Sequence, residues 1–436
     1  MFRSRTQSAF LSIVLLLSLV AGAGSASGQE APPEDHVLRL SDLLNESRAN
    51  NPTLRAARLE AEALAERRGQ VSALPDPTFM ASYQPYPLLT ARGTQRTQWR
   101  VEQMIPFPGK LGLQGNISDL SSEIAVFEAE TLEDDITFRI KQAYFELHRI
   151  QQQEVLIRSF QDRLVNFEEV ASTQYEVGAG IQQSVLKAQL ERNMLERVYL
   201  ELVERRRTAA EELANLLNRP VSTGDLEEIR VARPPGLSLD HDTLFAVAYR
   251  SRPEAAMLDI AALRADTQIA LAKKEYLPDF GLNVTYFDVG AADVPPTATG
   301  RDALGVGVSI KVPLQRGRLR ARLEEARLRR YQVEARQEAL ESSFRTQIGD
   351  LDNRLRQEQR QLSLYRHVLI PQAETTLQAT LSAYTTGRTD FLNLLDAERV
   401  LFTLNTGYED TFARYLTVAA ALERALGIAS LEELDK

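Results

Sequence analysis

The chain has 436 residues, 44% of them hydrophobic and 25% charged, with a formal net charge of -9 and no cysteine. The acidic balance argues against a nucleic-acid partner, whose phosphates recruit Lys and Arg. The lack of cysteine excludes disulfides, thiolate metal sites, cysteine nucleophiles and the lipid-acceptor cysteine of a bacterial lipoprotein.

At the N-terminus two arginines, Arg3 and Arg5, precede an apolar run from Ala9 to Val20 whose only polar members are Ser12 and Ser18, and small residues follow through Ala23 and Ala26. This is the pattern of a secretory signal peptide, expected over 1–28. The run falls well short of the roughly 20 residues of a membrane-spanning helix. No later segment has that length and apolarity, so any passage through a membrane is expected from β-strands.

The remainder reads as two copies of one unit. Asn51-Pro52 and Arg252-Pro253 introduce helical stretches, Leu74-Pro75-Asp76-Pro77 and Leu277-Pro278-Asp279 end them, Ile105-Pro106-Phe107-Pro108-Gly109-Lys110 corresponds to Val312-Pro313-Leu314-Gln315-Arg316-Gly317, and Tyr175 to Gly178 corresponds to Tyr384 to Gly387. The offsets, 201, 203, 207 and 209, keep their order with small insertions. The expected division is a first repeat over 35–220, a second over 221–428 and a C-terminal tail over 429–436.

In chain order, helix is expected from Ser41 to Leu74, then strands over about 78–84 and 97–104 with Phe79, Tyr83, Trp99 and Val101 on one side. A helix of heptad-like spacing follows from Leu113 to Val177, with Ile136, Ile140, Ala143, Leu147 and Ile150 in its stripe. The chain turns near Gly178 and returns from Ile181 to Asn218. The second unit repeats this plan: helix from Asp240 to Tyr276, strands over about 280–287 and 303–312, a long helix from Gly317 to Thr386, a turn near Gly387, and a return helix from Thr389 to Leu426. Phe280, Leu282, Val284 and Tyr286, then Leu304, Val306, Val308 and Ile310, form alternating apolar faces. The link from Gly290 to Gly300 reads as an exposed hairpin loop. Such strands suit either a soluble half-buried hairpin or a membrane crossing. At 1.5 Å per residue the first long helix spans roughly 98 Å, and the two shorter helices of its unit, roughly 51 and 57 Å, lie end to end beside it. Pro371 is expected to distort its helix.

These landmarks, with the run from Tyr384 to Arg399, resemble the TolC outer-membrane efflux family over essentially the whole mature chain. The resemblance implies a mainly α fold with a small β part: a two-fold internal repeat of long coiled-coil helices plus β-hairpins, assembling as a homotrimer with an α-helical periplasmic barrel and a 12-stranded transmembrane β-barrel in outer-membrane lipid. It implies an efflux duct docked to a periplasmic adaptor and fed by an inner-membrane pump. The tips Val177, Gly178, Ala179, Thr386, Gly387 and Arg388 would contact the adaptor, or serve only as turns. Acidic rings of the family map onto Asn393 and Asp396, one of the two aspartates being replaced, and Asp390 is a further ring candidate; the equally good structural reading is that Thr389 caps the helix and Asp390 favours its positive end. The Ile105 to Lys110 landmark is similar to that of relatives serving heavy-metal exporters. Because His36, His148, His241 and His367 are scattered without ligand spacing, no metal or cofactor is expected in this chain.

The competing reading is a periplasmic coiled-coil scaffold or adaptor without a pore, which explains the heptads and leaves two hairpin repeats unaccounted for. The chain carries no nucleophile elbow, phosphate loop or paired-acid motif, so no catalysis is expected.

Overall fold

A computed structural model describes residues 37–178, 180–221, 228–229, 231, 240–291 and 299–435. The expected signal peptide, Ala179 and most of the Gly290 to Gly300 loop lie outside them. The described chain is mainly helical with a small antiparallel sheet. In order it forms β1 (Val37–Leu38), α1 (Leu40–Asn50), α2 (Pro52–Val71), β2 (Thr78–Thr90), β3 (Gly93–Ile105), α3 (Lys110–Glu176), α4 (Gln182–Leu217), β4 (Glu228–Ile229), α5 (His241–Ser251), α6 (Pro253–Lys274), β5 (Asp279–Gly290), β6 (Ala303–Lys311), α7 (Arg316–Leu364), α8 (Ile370–Thr385) and α9 (Phe391–Leu426).

Two stretches expected as single helices are each broken at a proline. Asn51 leaves helical geometry, its side chain accepts from the Thr53 and Leu54 amides at 2.9 and 3.1 Å, and Pro52 opens α2. Proline is tolerated there because an amide in the first helical turn has no partner to lose. Arg252 likewise leaves helical geometry and Pro253 opens α6, but without a side-chain cap; the Arg252 guanidinium lies 3.9 Å from the centre of the Phe344 ring.

The sheet runs β2-β3-β5-β6, every pair antiparallel. β2 and β3 extend beyond the alternating segments of the sequence to a turn at Ala91-Arg92. The register slips between Tyr83 and Leu88, where Pro85 and Pro87 stand, and β2 tolerates them because it is an edge. One face carries Phe79, Trp99, Val101, Leu282, Val284, Tyr286, Leu304, Val306, Val308 and Ile310, all exposed. The other carries Gln98, Arg100, Glu102, Asn283, Thr285 and Ser309, with Arg100 donating to Thr285 at 3.2 Å and Ser309 to Glu102 at 3.1 Å. A second, two-stranded parallel sheet of β1 and β4, absent from the sequence reading, is held by the Tyr144 hydroxyl donating to the Leu38 carbonyl at 2.8 Å.

α3 is the common neighbour of α2, α4, α6 and α9, and α7 with α8 runs beside α6 and α9. Along α3 the stripe positions Ile136, Ile140, Ala143, Leu147 and Ile150 are buried. Toward the sheet small residues enter the buried set, Gly115, Ser118, Ala125 and Ala129, beside Ile124. Three apolar clusters follow, centred on Tyr144 and Leu213, on Phe160 and Leu394, and on Phe344 and Tyr415, and α9 contributes to all three. Before Pro371 the helix widens into a π turn, Tyr365–Leu369, as expected of a residue that withdraws a backbone donor. The Tyr365 hydroxyl fills the space over Gly407 of α9, 2.7 Å from where a Cβ would stand.

Phe160 is fully buried and stacks on Phe402 at 4.8 Å between ring centres. Phe160→Ala should destabilise the helical part by about 3–5 kcal/mol, read from the denaturant midpoint of the detergent-solubilised protein.

A second test concerns Glu409, pushed up to about 7 from 4.5 by burial and then by the neighbouring Asp410 carboxylate. Between those two pH values the folded chain holds a proton that the unfolded chain has lost, so stability falls as pH rises through that window. Glu409→Gln should therefore raise Tm at pH 8 and leave it unchanged at pH 4; an equal shift at both would show that the charge is not the cause.

Candidate functional site

The sequence-selected residues gather at the helix ends farthest along the chain from the sheet. Two turns form there. In the first, Val177 is exposed, Gly178 has φ 72°, and the Gly178 and Gly180 amides donate to the Tyr175 and Gln174 carbonyls at 3.0 and 2.8 Å. In the second, Thr386, Gly387 and Arg388 are exposed, Gly387 has φ 69°, and the Gly387 and Arg388 amides donate to Tyr384 and Ala383 at 3.0 and 2.8 Å. Nothing lies within 4 Å of a Cβ built on either glycine. The left-handed backbone, not crowding, therefore selects glycine at both turns.

The repeat is not symmetric here. Tyr175 is exposed, whereas its counterpart Tyr384 is buried, meets Phe391 edge-on at 6.0 Å and donates to Gln174 at 3.0 Å. That bond ties the second turn to α3. Arg388 folds onto its own turn, donating to the Thr386 hydroxyl at 3.0 Å.

Asp390, Asn393 and Asp396 are exposed on the first turns of α9. Asp390 is the N-cap, accepting from the Asn393 amide at 3.0 Å, and the Asn393 side chain donates to the Thr389 hydroxyl at 3.1 Å. Asn393 and Asp396 share an open groove between α8 and α9 with Thr376, Thr380 and Thr389. Asp390 does not line it. The geometry thus separates the three: one carboxylate is engaged by the helix end, and the other lines an open, mainly apolar groove with no hydrogen-bond partner among the described residues.

Sequence reasoning missed the charges behind this face. Glu398 is fully buried and paired with Arg163 of α3, and Arg399 forms a two-pronged bond to Glu191 of α4 at 2.5 and 2.9 Å. The Glu191 carboxylate raises the Arg399 pKa through that bond. Glu168 of α3 takes Gln189 and Arg192 of α4 at 2.8 and 3.0 Å. Adjacent Glu398 and Arg399 within an apolar helix were the available signal, since charges in a buried stripe require partners. The groove that Asp396 lines is thus backed by ion pairs joining α9 to both helices of the first hairpin.

Residues 248–428 match the family described as outer membrane efflux protein. None of the curated proteins compared matches the sequence. The fold is similar to that of the outer-membrane channel OprN, with a TM-score of 0.74 and 21% identity, covering 89% of this chain and 89% of that one. It is also similar to the outer membrane protein VceC from Vibrio cholerae, at 0.72 and 20%, covering 89% and 96%, and to CusC, at 0.73 and 18%, covering 89% and 92%. At such identities the likeness is one of fold. Residues 248–428 thus match the outer membrane efflux protein family, and the described chain is similar in fold to OprN, VceC and CusC.

Proposed function

We propose that this chain is the outer-membrane duct subunit of a tripartite efflux system, passing substrates from an inner-membrane pump and a periplasmic adaptor to the outside. The observation that carries the reading is the sheet. One face is largely apolar, Val306 and Val308 each 71% exposed, while the opposite face carries most of the polar side chains, interspersed with Met80, Met104 and Phe287. That is the pattern of a strand set with lipid on one side and a wet lumen on the other. No helix among the described residues is long and apolar enough to cross a membrane, but strands of 9 to 13 residues suffice.

Closure supplies the assembly. β2 and β6 are edges, and an open edge in hydrocarbon leaves backbone groups without partners. Four strands cannot enclose a lumen; two copies would give eight strands and three copies twelve, both even, and it is the resemblance to the TolC family that selects the 12-stranded trimer. The helices attached to each sheet then continue the wall into the periplasm. The N-terminal pattern delivers the chain there as a signal peptide, and without cysteine the barrel itself is the anchor.

In this reading the turns at Val177 to Ala179 and Thr386 to Arg388 meet the adaptor, and Asp390, Asn393 and Asp396 surround the periplasmic entrance. The geometry favours Asp396 as the ring carboxylate, because Asp390 is occupied as a cap. Among the described residues no group of three or more His, Asp or Glu is placed to hold a metal ion. A duct serving a metal exporter need not bind its cargo. The scaffold reading leaves the exposed apolar sheet face without a purpose.

Conductance in a planar bilayer tests this directly. The purified mature protein should insert and give discrete, cation-selective steps, with Asp396→Ala reducing the selectivity and Asp390→Ala reducing mainly helix stability, by about 1 kcal/mol. A protein that stays soluble without detergent and never inserts sinks the duct.

A further inference from the structure

The two repeats meet inside one chain at the β3–β5 seam, and there the segment leaving the first hairpin is clasped to the segment leading into the second. Asp279 accepts from the Phe107 amide at 2.8 Å and from the Lys110 ammonium at 2.7 Å; Lys110 also donates to the Leu277 carbonyl at 3.0 Å. Phe107 stacks on Phe280 with ring centres 6.5 Å apart. Every group in this clasp belongs to one of the paired landmarks.

The counterparts are Asp76 for Asp279, Leu314 for Phe107 and Gly317 for Lys110, by the offsets 203 and 207. Packing supports the second offset: Gly115 of α3 faces Ser72 of α2, and its counterpart Arg322 of α7 faces Glu275 of α6, itself the counterpart of Ser72. Within one chain these counterparts lie apart, because Asp76 leads into β2 and Leu314 and Gly317 lead out of β6, the two outer edges of the sheet. They are left open. Asp76 is exposed with no partner among the described residues, the Leu314 amide has no acceptor among them, and Leu314 is 79% exposed. The α7 face that corresponds to the α6-facing side of α3 is uncovered as well. Ser121 of α3 takes Arg264 of α6, whereas its counterpart Leu328 is 59% exposed, and Tyr331 one turn on is 61% exposed.

We propose that the seam between copies repeats this clasp in a version without the lysine: the Asp76 carboxylate of one copy accepts from the Leu314 amide of the next, Leu314 covers Pro77, and Gly317 stands where the lysine would. In an antiparallel closure of β6 on β2, the end of one strand adjoins the start of the other, so the two segments are brought together as they are at β3–β5. The occupant of the open edge is therefore a second copy of this chain. The inference rests on the proposed oligomeric barrel and adds which residues close it and why the seams differ.

The absence of native cysteine permits a direct test. Full-length protein carrying Asp76→Cys and Leu314→Cys, extracted in detergent and oxidised, should run as a covalent oligomer on a non-reducing denaturing gel, and each single variant as a monomer. An oligomer by light scattering that does not crosslink overturns the clasp and leaves the duct standing; a monomer by light scattering overturns both. A second measurement does not depend on cysteine placement. A Cβ on Gly317 meets nothing within 4 Å, so Gly317→Lys should be accommodated and raise the temperature at which the oligomer dissociates. The gain should vanish when Asp76→Asn is added. No gain, or a gain that survives Asp76→Asn, overturns the clasp.

Discussion

The β3–β5 ladder is the interaction on which the remainder of the structure depends. It pairs strands from different repeats continuously from Ile105 with Phe280 to Thr94 with Gly290, with one register slip. Because side chains alternate across a strand, that register places Trp99 and Val101 on the same face as Tyr286 and Val284, and so unites two separate hairpins into one apolar surface. A slip by one residue would turn every β5 side chain over and mix the two faces. The same ladder sets the lead-out of β3 beside the lead-in of β5. From there α3 runs between α2 and α6, and the length of its stripe decides how far the helices stay together.

Farther along α3 the interactions change in kind. Near the sheet, helices approach on Gly115, Ser118 and alanines. In the middle, Tyr144, Phe344 and Tyr415 fill wider spaces. Toward the turns, carboxylates take over, the buried Glu398 and Glu191 and the half-buried Glu168, each bound to an arginine of another helix. Breaking such a pair leaves a charge that burial makes costly. The groove containing Asp396 therefore stands on helices whose relative position is fixed by polar contacts, not by apolar packing alone. Its Thr376 and Thr380 lean on their own helix, donating to Gln372 and Thr376 carbonyls at 2.8 Å, so the groove presents few free donors beside the carboxylate.

Much of this was legible in the sequence because it rests on period. The helix stripes, the strand faces of β5 and β6 and the turn glycines follow from spacing, and the mainly helical fold with a small sheet followed from them. What escaped has a physical reason in each case. Asn51-Pro52 and Arg252-Pro253 read as helix starts but also end the preceding helix, because one residue can be both the last of one helix and the cap of the next. β1 and β4 are two residues each, too short for any period to register. β2 ran past its prolines because an edge strand does not need every donor. At the turns, Asp390 carried two readings from sequence, and only geometry assigned its oxygen to the Asn393 amide. Glu398 and Arg399 sat in a run chosen for its resemblance while their partners lay more than 200 residues away.

The departures from symmetry between the repeats are themselves informative. Two copies of one unit fold alike where they meet the same surroundings and diverge where they do not. Tyr384 is buried and bonded to Gln174 of the first hairpin while its counterpart Tyr175 is exposed, so the two turns are fastened together through the tyrosine of the second repeat. The Lys110 side chain makes two bonds at the internal seam, and the corresponding Gly317 can make none with a side chain. A contact inside one chain forms at high effective concentration and can bury a lysine against its aspartate as the chain folds. A contact between chains must form after each has folded, with strand edges and apolar faces still open. The proposed contact there joins a carboxylate to a backbone amide and leaves no ammonium group to desolvate, so the residue that differs between the repeats is the one that supplies the positive charge at the internal seam.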